Sequence, residues 1–232
     1  MASDVNPQAV TIVGATGDLG FGLALRLAHA GTPIVVGSRD AVRAADAARR
    51  IAAAIPGAAV DGRANPDAVA AADVVVLSVP FASHIATLQS IESSLRPGQL
   101  LLDVTVPLAT AVGGRPTRVL GVWQGSAAEQ AQELVPAGVT VVSALHTVAA
   151  AHLADLAHAF DEDVLITGDD KDAKRRIAGL IGLVPGLRPV DAGKLEMARI
   201  TEQLTALTIG INIRYKASAG LHVTGLPDRL WS

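Results

Sequence analysis

Cysteine is absent from the 232 residues of this chain. A chain without cysteine has no disulfide framework, no thiolate nucleophile and no metal or cluster site built on thiolate ligands. Aromatic side chains make up only 3% of the residues, and the formal net charge is −3. A slightly acidic chain has no overall positive charge to attract nucleic acid or an anionic membrane surface. We therefore expect small molecules, rather than nucleic acid or membranes, as partners.

Long apolar runs are also missing. No uninterrupted apolar run approaches the ~18–20 residues that a membrane-spanning helix requires. The first residues, MASDVNPQ, lack the basic and then apolar order of a signal peptide. Both observations predict a cytoplasmic protein.

What the chain has is a regular alternation of short apolar runs and longer stretches with helical periodicity. The runs are rich in Val and Ile, as strands of a buried parallel sheet are. The predicted strands are 10–15, 32–38, 73–80, 99–107 and 139–146, and the predicted helices are 19–30, 40–54, 65–72, 82–95 and 126–135. This order predicts an α/β fold with a Rossmann-like, doubly wound and mostly parallel sheet.

The alternation changes near residue 147. A strand is predicted at 164–168 and a helix at 172–184, before the segment RPVDAG and one long amphipathic stretch at 194–218. Because that last stretch is too apolar to be fully exposed, we expect it in the core or at a dimer interface. We predict a nucleotide-binding, Rossmann-like domain over 1–147 and a smaller C-terminal α/β part over 148–232.

Two of the predicted helices begin with polar residues that commonly stabilise a first turn. Asn65, followed by Pro66, is a candidate N-cap, and the pair Asp169–Asp170 is expected to cap the helix at 172. The basic residues that follow this pair are predicted to form a solvated basic edge. They are Lys171, Lys174, Arg175 and Arg176.

The segment VGATGDLG places Gly14, Gly17 and Gly20 between the first predicted strand and the first predicted helix. Glycines at this point permit a tight turn, close approach of the backbone to a pyrophosphate and close packing of helix on strand. The helix N-terminus then directs free N–H groups at the phosphates. The spacing is G-x-x-G-x-x-G rather than the usual G-x-G-x-x-G, so the prediction depends on the flanking strand and helix.

The second predicted strand ends in Ser38 and Arg39, where an NAD-binding protein places a carboxylate for the ribose hydroxyls. A guanidinium at this position can instead bind the 2′-phosphate of NADP, and Ser38 and Thr16 can donate to the same phosphate. Arg43 lies one helical turn after Arg39. We therefore predict NADP(H). The alternative is NAD(H), with Asp40 as the ribose acceptor, although Asp40 is also suited to cap the helix.

Several long segments resemble the NADPH-dependent reductases of coenzyme F420. These segments are GATGDLGFGLALRLA, IVVGSRD, VVSALHTVAAAHLADL, GDDKDAKRRIAGLI and GLRPVDAGKLEMARITEQLTAL. The similarity extends in order from about Val10 to Leu221. It implies an oxidoreductase that transfers a hydride between NADP(H) and the 8-hydroxy-5-deazaflavin F420. It also implies a homodimer in which 1–147 binds NADP and the C-terminal part completes the deazaflavin pocket.

The family pattern has Asn where Asp18 stands, Trp where Phe81 stands and Pro where Ala149 stands. The resemblance still implies a set of site residues by their positions. For the phosphates these are Thr16, Gly17, Asp18 and Leu19, next to Gly14 of the glycine turn; for the 2′-phosphate, Ser38, Arg39 and Arg43; beside the nicotinamide, Val79, Pro80 and Phe81; where the nicotinamide and the deazaflavin meet, His146, Thr147 and Ala150; and near the deazaflavin, Leu221.

The implied chemistry needs few catalytic groups because the two cofactors carry out hydride transfer themselves. His146 and Thr147 are therefore predicted to position the rings rather than to act as acid or base. Tyr215 is the only tyrosine and lacks nearby Ser and Lys partners, which argues against a short-chain dehydrogenase. Other acceptors, such as a flavin, a metal chelate or a small carbonyl compound, and a non-catalytic NADP-binding sensor are the alternatives.

His146 ends the fifth predicted strand, and His152 and His158 follow it. His146 is predicted to hydrogen-bond the nicotinamide amide or to steady the deazaflavin ring, and the alternative is a histidine that caps the strand without touching substrate. His152 and His158 are six residues apart and do not share a helical face, so we expect no metal site.

Overall fold

The computed structural model describes residues 9–227, 230 and 231. Strands and helices alternate along this part of the chain. The strands are β1 (Val10–Val13), β2 (Ile34–Ser38), β3 (Val60–Ala64), β4 (Val74–Leu77), β5 (Leu100–Asp103), β6 (Thr140–Ser143), β7 (Glu162–Gly168) and β8 (Leu187–Asp191). The α-helices are α1 (Asp18–His29), α2 (Ala41–Ala54), α3 (Asn65–Val69), α4 (His84–Ile91), α5 (Ala127–Leu134), α6 (Ala150–Ala154), α7 (Lys171–Ile181), α8 (Ala198–Thr201) and α9 (Leu204–Tyr215). Short 3₁₀ segments lie at Phe81–Ser83, Glu92–Ser94, Ala109–Val112 and Leu195–Met197.

All of these strands form one sheet in the order β3-β2-β1-β4-β5-β6-β7-β8. Strands β1 to β6 are parallel to their neighbours, β7 runs antiparallel to β6, and β8 is parallel to β7. The predicted α/β, Rossmann-like and mostly parallel sheet is therefore confirmed. The strand order reverses between β1 and β4. In open α/β sheets, ligands bind outside the carboxyl ends of the strands at such a switch point.

The central strands are buried on both faces because helices cover both faces of the sheet. Ile12 on β1 and its register partner Val76 on β4 pack in one core cluster with Leu27 of α1. Val13, the next residue of β1, packs in the cluster on the other face with Leu88 of α4. Successive side chains of a strand point to opposite faces, so one apolar run contributes to both cores.

Strand β3 was not among the predicted strands. Its sequence, VDGRA, is not an apolar run, and its residues alternate between half-buried and exposed. β3 is the edge strand beside β2, where charged side chains such as Asp61 and Arg63 are exposed. Edge strands with charged side chains lack the apolar pattern of buried parallel strands.

The stretch 194–218, predicted as one amphipathic segment, is divided in the structure. A 3₁₀ turn at 195–197 leads into α8, and a break at Glu202 and Gln203 separates α8 from α9. The Glu202 side chain at this break bonds to the first backbone amides of α5, which ties α8 to another element. None of the helices in the described ranges is both long and apolar enough to cross a membrane.

The predicted basic edge is wrong for Lys174. Its side chain is 7% exposed, and its Nζ lies 2.5 Å from the Asp191 carboxylate and 3.1 Å from the Gly193 carbonyl oxygen. Arg175 pairs with Asp172 at 2.7 Å. Because β7 is antiparallel to β6, helix α7 begins near the amino ends of β1 to β6, on the side of the sheet opposite to their carboxyl ends.

The predicted helix caps have mixed outcomes. Asp170 is the N-cap of α7 and accepts from the Ala173 amide at 2.8 Å, as predicted. Its neighbour Asp169 accepts instead from the Leu195 amide at 3.2 Å. The N-cap prediction for Asn65 is wrong, because the chain is already helical at Asn65 and Ala64 occupies the cap position.

Candidate functional site

A crevice opens at the switch point between β1 and β4. It consists of two adjoining cavities that share Gly17, Ser78, Val79 and Pro80 in their walls. The β2-side cavity has a volume of about 420 Å³ and extends to the end of β2. The β5-side cavity has a volume of about 560 Å³ and extends past the ends of β5 and β6.

The glycine turn forms the wall between the two cavities. Gly14 has φ +89°, and a Cβ there would lie 2.1 Å from the Ser78 carbonyl oxygen. A Cβ at Gly20 would lie 2.9 Å from the Gly14 carbonyl oxygen, so both positions require glycine. Gly17, the N-cap of α1, has no side chain to accept from the first helical amides. The bare backbone and the N-terminus of a 12-residue helix fit an anionic group such as a pyrophosphate.

The β2-side cavity is lined by the polar end of β2. Ser38 is buried and its Oγ accepts from the Asp40 amide at 3.3 Å, which leaves the hydroxyl hydrogen free to donate. Arg39 and Arg43 are exposed, and both line the cavity together with the half-buried Thr16. Neither guanidinium forms an ion pair with any residue in the described part of the chain. Two unpaired guanidiniums and a hydroxyl suit a phosphate monoester.

Asp40 is engaged in helix capping, as the sequence allowed. Its Oδ1 accepts from the amides of Val42, at 2.8 Å, and Arg43, at 3.4 Å, and it is the N-cap of α2. The Ala44 amide bonds to the Asp40 carbonyl oxygen. A carboxylate held at the helix start is a poorer ribose acceptor than one at the strand end, which favours the arginine-based interpretation of this cavity.

The β5-side cavity has mainly apolar walls. Side chains from four parts of the chain contribute: Leu19 of α1, Val79 to Phe81 after β4, Val104, Val106 and Leu108 after β5, and Leu145, Val148 and Ala150 after β6. Ser78, Thr105, Thr110, His146 and Thr205 provide the uncharged polar groups, and Asp18 the carboxylate. An apolar cavity with a few polar groups is typical of a site for an organic ring system.

His146 is held firmly in the wall of this cavity. Its Nε2 lies 3.0 Å from the Ser143 Oγ, and its carbonyl oxygen accepts from the Thr205 hydroxyl at 2.7 Å. The preceding Leu145 has φ 69°, a left-handed backbone that is unusual for a branched side chain. Burial lowers the pKa of His146 to about 4, against the smaller opposing charge of Asp103. His146 is therefore a neutral imidazole at pH 7.

Two predicted site residues border neither cavity. Thr147 is half-buried beside His146 but is absent from both walls. The Leu221 carbonyl oxygen accepts from the Asp163 amide at 2.7 Å, which places Leu221 beside the start of β7. The roles of Thr147 and Leu221 stay predictions. The other predicted residues all line the crevice, and they are Gly14, Thr16, Gly17, Asp18, Leu19, Ser38, Arg39, Arg43, Val79, Pro80, Phe81, His146 and Ala150.

A buried polar cluster, which sequence reasoning missed, lies behind the β5-side cavity. The His84 Nε2 lies 2.7 Å from the Asp103 Oδ2, and the His84 Nδ1 lies 3.1 Å from the Gln130 Oε1. Burial acts to lower the pKa of His84, but the Asp103 charge and hydrogen bond, aided by Gln130, outweigh it and raise that pKa. The Asp103 pKa is lowered because His84 and the Thr105 amide together outweigh burial. The Asp103 carboxylate thus favours the protonated form of the His84 ring.

Glu202 extends this cluster. It is 1% exposed and accepts from the amides of Ala127, at 2.9 Å, and Ala128, at 3.1 Å, in the first turn of α5. Burial raises the pKa of Glu202 to about 8, although the two amide bonds oppose this shift. One local feature of the sequence could have indicated this cluster. Asp103 ends the buried strand segment LLLD, and a buried carboxylate needs a hydrogen-bonding or charged partner.

The two stacked histidines form a separate feature. The rings of His152 and His158 stack at 3.7 Å between centroids, although their spacing did not predict a shared face. Among the described residues, no group of three or more His, Asp or Glu side chains could hold a metal ion.

Comparison with known proteins agrees with this arrangement. The family model described as NADP oxidoreductase, coenzyme F420-dependent, matches residues 9–107. The F420-dependent NADP reductase of Methanothermobacter thermautotrophicus is 40% identical over 224 residues, which are 95% of this chain and 96% of that protein. The chain belongs to this reductase family. The resemblance inferred from its sequence segments is therefore confirmed.

Further relatives match this chain over most of its length. The F420-dependent NADP reductase of Methanocaldococcus jannaschii is 39% identical over 222 residues, which are 94% of this chain and 98% of that protein. The crystal structure of a candidate F420-dependent NADP reductase from Arthrobacter sp. FB24 superposes with a TM-score of 0.79 at 27% identity, and the match covers 94% of this chain and 99% of that one. Family likeness therefore extends over both the N-terminal and the C-terminal parts of this chain.

The raised pKa of Glu202 predicts a specific dependence of stability on pH. Because the folded protein binds this proton more tightly, the contribution to the free energy of unfolding is fully present below the ordinary pKa of 4.5 and is lost as pH rises through about 8. In Glu202→Gln this loss disappears. Between about pH 5 and about pH 9, the free energy of unfolding of the unaltered protein should fall by on the order of 2 kcal/mol more than that of Glu202→Gln.

Chemical denaturation at a series of pH values measures this difference. Glu133→Gln, which changes an exposed side chain on the same helix α5, is the matched control and should keep the pH slope of the unaltered protein. An unchanged slope in Glu202→Gln would contradict the assignment of the buried proton to Glu202.

Proposed function

We propose that this protein transfers a hydride between NADP(H) and the deazaflavin coenzyme F420. The observation that carries the proposal is the continuous crevice at the switch point, with two unpaired guanidiniums at one end and an apolar cavity at the other. Membership of the F420-dependent NADP reductase family supports the same pair of substrates. Coenzyme F420 accepts a hydride and a proton, and NADPH supplies the hydride.

In this proposal, NADP(H) lies along the crevice from β2 to β4. The 2′-phosphate is bound by Ser38, Arg39 and Arg43, and the pyrophosphate by the turn at Gly14 and Gly17 with the N-terminus of α1. Bidentate contacts from arginine and free helical amides fit these two anionic groups. The nicotinamide then lies against the segment Val79, Pro80 and Phe81, where the two cavities join.

The deazaflavin ring occupies the β5-side cavity, against the nicotinamide. The apolar walls exclude water from the reacting carbons and hold the rings in contact, which is the protein's main contribution to hydride transfer. His146 is suited to this position because it is neutral at pH 7 and does not repel the positive charge of oxidised nicotinamide. Its bonds to Ser143 and Thr205 keep the ring in place.

The central assay mixes purified protein, NADPH and oxidised F420, and follows the loss of the visible absorbance of the deazaflavin. We expect bleaching that requires the protein and is much slower with NADH. Tight NADPH binding without bleaching would contradict the assigned acceptor. Flavins, metal chelates and small carbonyl compounds would then be compared as acceptors under the same conditions. If none of them reacted, the protein would be an NADP-binding sensor.

The assignment of the 2′-phosphate site gives a second expectation. Arg39→Asp replaces a charge-assisted donor with a carboxylate that repels the phosphate, so KM for NADPH should rise on the order of 100-fold. KM for NADH should stay the same or fall, because a carboxylate at this strand end can accept from the ribose hydroxyls. Initial rates with the two nucleotides measure both effects.

The matched control for this variant is Arg49→Asp. Arg49 lies on the same helix α2 as Arg43, pairs with Asp46 and borders neither cavity. It should leave both KM values unchanged. If Arg39→Asp kept the preference of the unaltered protein for NADPH, the 2′-phosphate would have to bind elsewhere.

We also propose that residues 148–232 form a smaller part that mediates a homodimer. Helix α9 supports this, because Leu207, Ile211, Ile213 and Tyr215 are between 37% and 71% exposed. Light scattering should give a dimer mass, and Leu207→Lys should shift it towards the monomer. Ile85→Lys on α4 also places a charge at an exposed apolar position and should not change the mass. A monomer mass for the unaltered protein would end this proposal.

A further inference from the structure

We propose that Arg115 and Arg118 bind the anionic tail of the deazaflavin coenzyme. Both residues lie on the segment Leu108–Val119, which we call the arginine loop. This inference rests on the proposed function, because it concerns the substrate of the β5-side cavity. It assigns a second contact region to that substrate, outside the cavity that holds its ring.

The arginine loop is closed at its base on the wall of the β5-side cavity. Leu108 pairs with Val119 in an isolated antiparallel bridge, and the Ala109 amide donates to the Arg118 carbonyl oxygen at 2.8 Å. Ala109 lies between Leu108 and Thr110, and both of these line the β5-side cavity. The backbone of Arg118 is therefore hydrogen-bonded to a residue that lies between two cavity-lining residues.

The tip of the arginine loop folds back towards Ala109. Gly113 has φ 77° and ends the 3₁₀ turn of 109–112. The Gly114 amide donates to the Ala109 carbonyl oxygen at 2.8 Å, and a Cβ at Gly114 would lie 2.7 Å from the Cβ of Ala109. This contact keeps Arg115 near the cavity wall instead of letting the loop extend away from it.

The two arginines face an open recess. Gly114, Arg115, Thr117 and Arg118 line a hollow of about 610 Å³. Both guanidiniums are exposed and form no ion pair or side-chain hydrogen bond with the described residues. No described carboxylate lines this hollow.

The other basic surface considered from the sequence does not compete for this role. On α7, Lys174 is buried against Asp191, and Arg175 pairs with Asp172. Helix α7 also begins near the amino ends of the parallel strands, whereas the crevice lies at their carboxyl ends. The arginine loop is thus the basic surface that adjoins the β5-side cavity.

The chemistry of the coenzyme matches this placement. Coenzyme F420 joins its apolar ring, through a polyol chain, to a phosphodiester and glutamate carboxylates. With the ring in the apolar cavity, the polyol chain brings these anions to the cavity rim. The planar guanidinium of arginine presents paired donors that fit both phosphate and carboxylate oxygens. Exposed contacts of this kind attract the tail most strongly at low ionic strength.

The test compares two acceptors that share the ring but differ in the tail. One is F420, and the other is 8-hydroxy-5-deazariboflavin, which lacks the phosphodiester and the glutamates. In Arg115→Ala/Arg118→Ala, we expect KM for F420 to rise roughly five- to twentyfold, with kcat within about twofold of the unaltered protein. KM for the tail-less acceptor and for NADPH should not change. Added salt should raise KM for F420 more in the unaltered protein than in the variant.

The matched control is Arg96→Ala/Arg175→Ala, which removes the same charge from the opposite edge of the sheet and should leave all three KM values unchanged. An unchanged KM for F420 in the loop variant, or an equal rise for both acceptors, would overturn this inference and leave the proposed function standing. If the unaltered protein reduced neither acceptor, the proposed function would fail and this inference with it.

Discussion

The close approach of β1 and β4 at Gly14 is the constraint on which the crevice depends. The Gly14 amide donates to the Gly37 carbonyl oxygen at 3.1 Å, and the Ser78 amide donates to the Val13 carbonyl oxygen at 2.8 Å. These bonds tie the ends of β1, β2 and β4 together. A side chain at position 14 would occupy the space of the Ser78 carbonyl and separate the strands. The turn can therefore bend sharply into α1, which leaves the helix N-terminus open to an anion.

The β5-side wall is held by a different kind of interaction. Asp103, at the end of β5, bonds to His84 of α4 and to the Thr105 amide, and Glu202 attaches α8 to the start of α5. Removing one partner of a buried hydrogen bond leaves the other polar group unsatisfied, which costs about 1–3 kcal/mol. This cluster connects the elements around the apolar cavity, and we infer that it keeps the cavity in a fixed shape for two stacked rings.

Local sequence patterns predicted which residues come together at the β2-side cavity. Gly14 and Gly17, and Ser38 and Arg39, follow directly after apolar runs, and their position at the ends of parallel strands places them in one crevice. Strand β3 was missed because an edge strand with charged side chains lacks the apolar pattern.

The residues that hold the β5-side wall could not be predicted from local patterns. His84, Asp103 and Gln130 come together from three separate elements, and no local spacing brings them into one motif. Lys174 was expected in solvent because its helix is basic, and only the tertiary position of Asp191 shows why it is buried. The position of the exposed arginines Arg115 and Arg118 could not be predicted from local sequence either. Their relation to the cavity depends on the backbone bond between Ala109 and Arg118.

The central claim is that both substrates meet in one crevice that excludes water, so that the hydride passes directly between them. The measurement that tests this most directly uses NADPH that carries deuterium at both hydrogen positions of the nicotinamide C4, in ordinary water, with oxidised F420 as acceptor. The reduced deazaflavin is then analysed by mass spectrometry and NMR. The account predicts that the deuterium arrives at C5 of the deazaflavin without dilution by solvent hydrogen. A product that carries solvent hydrogen at C5 would contradict direct transfer within a shared crevice.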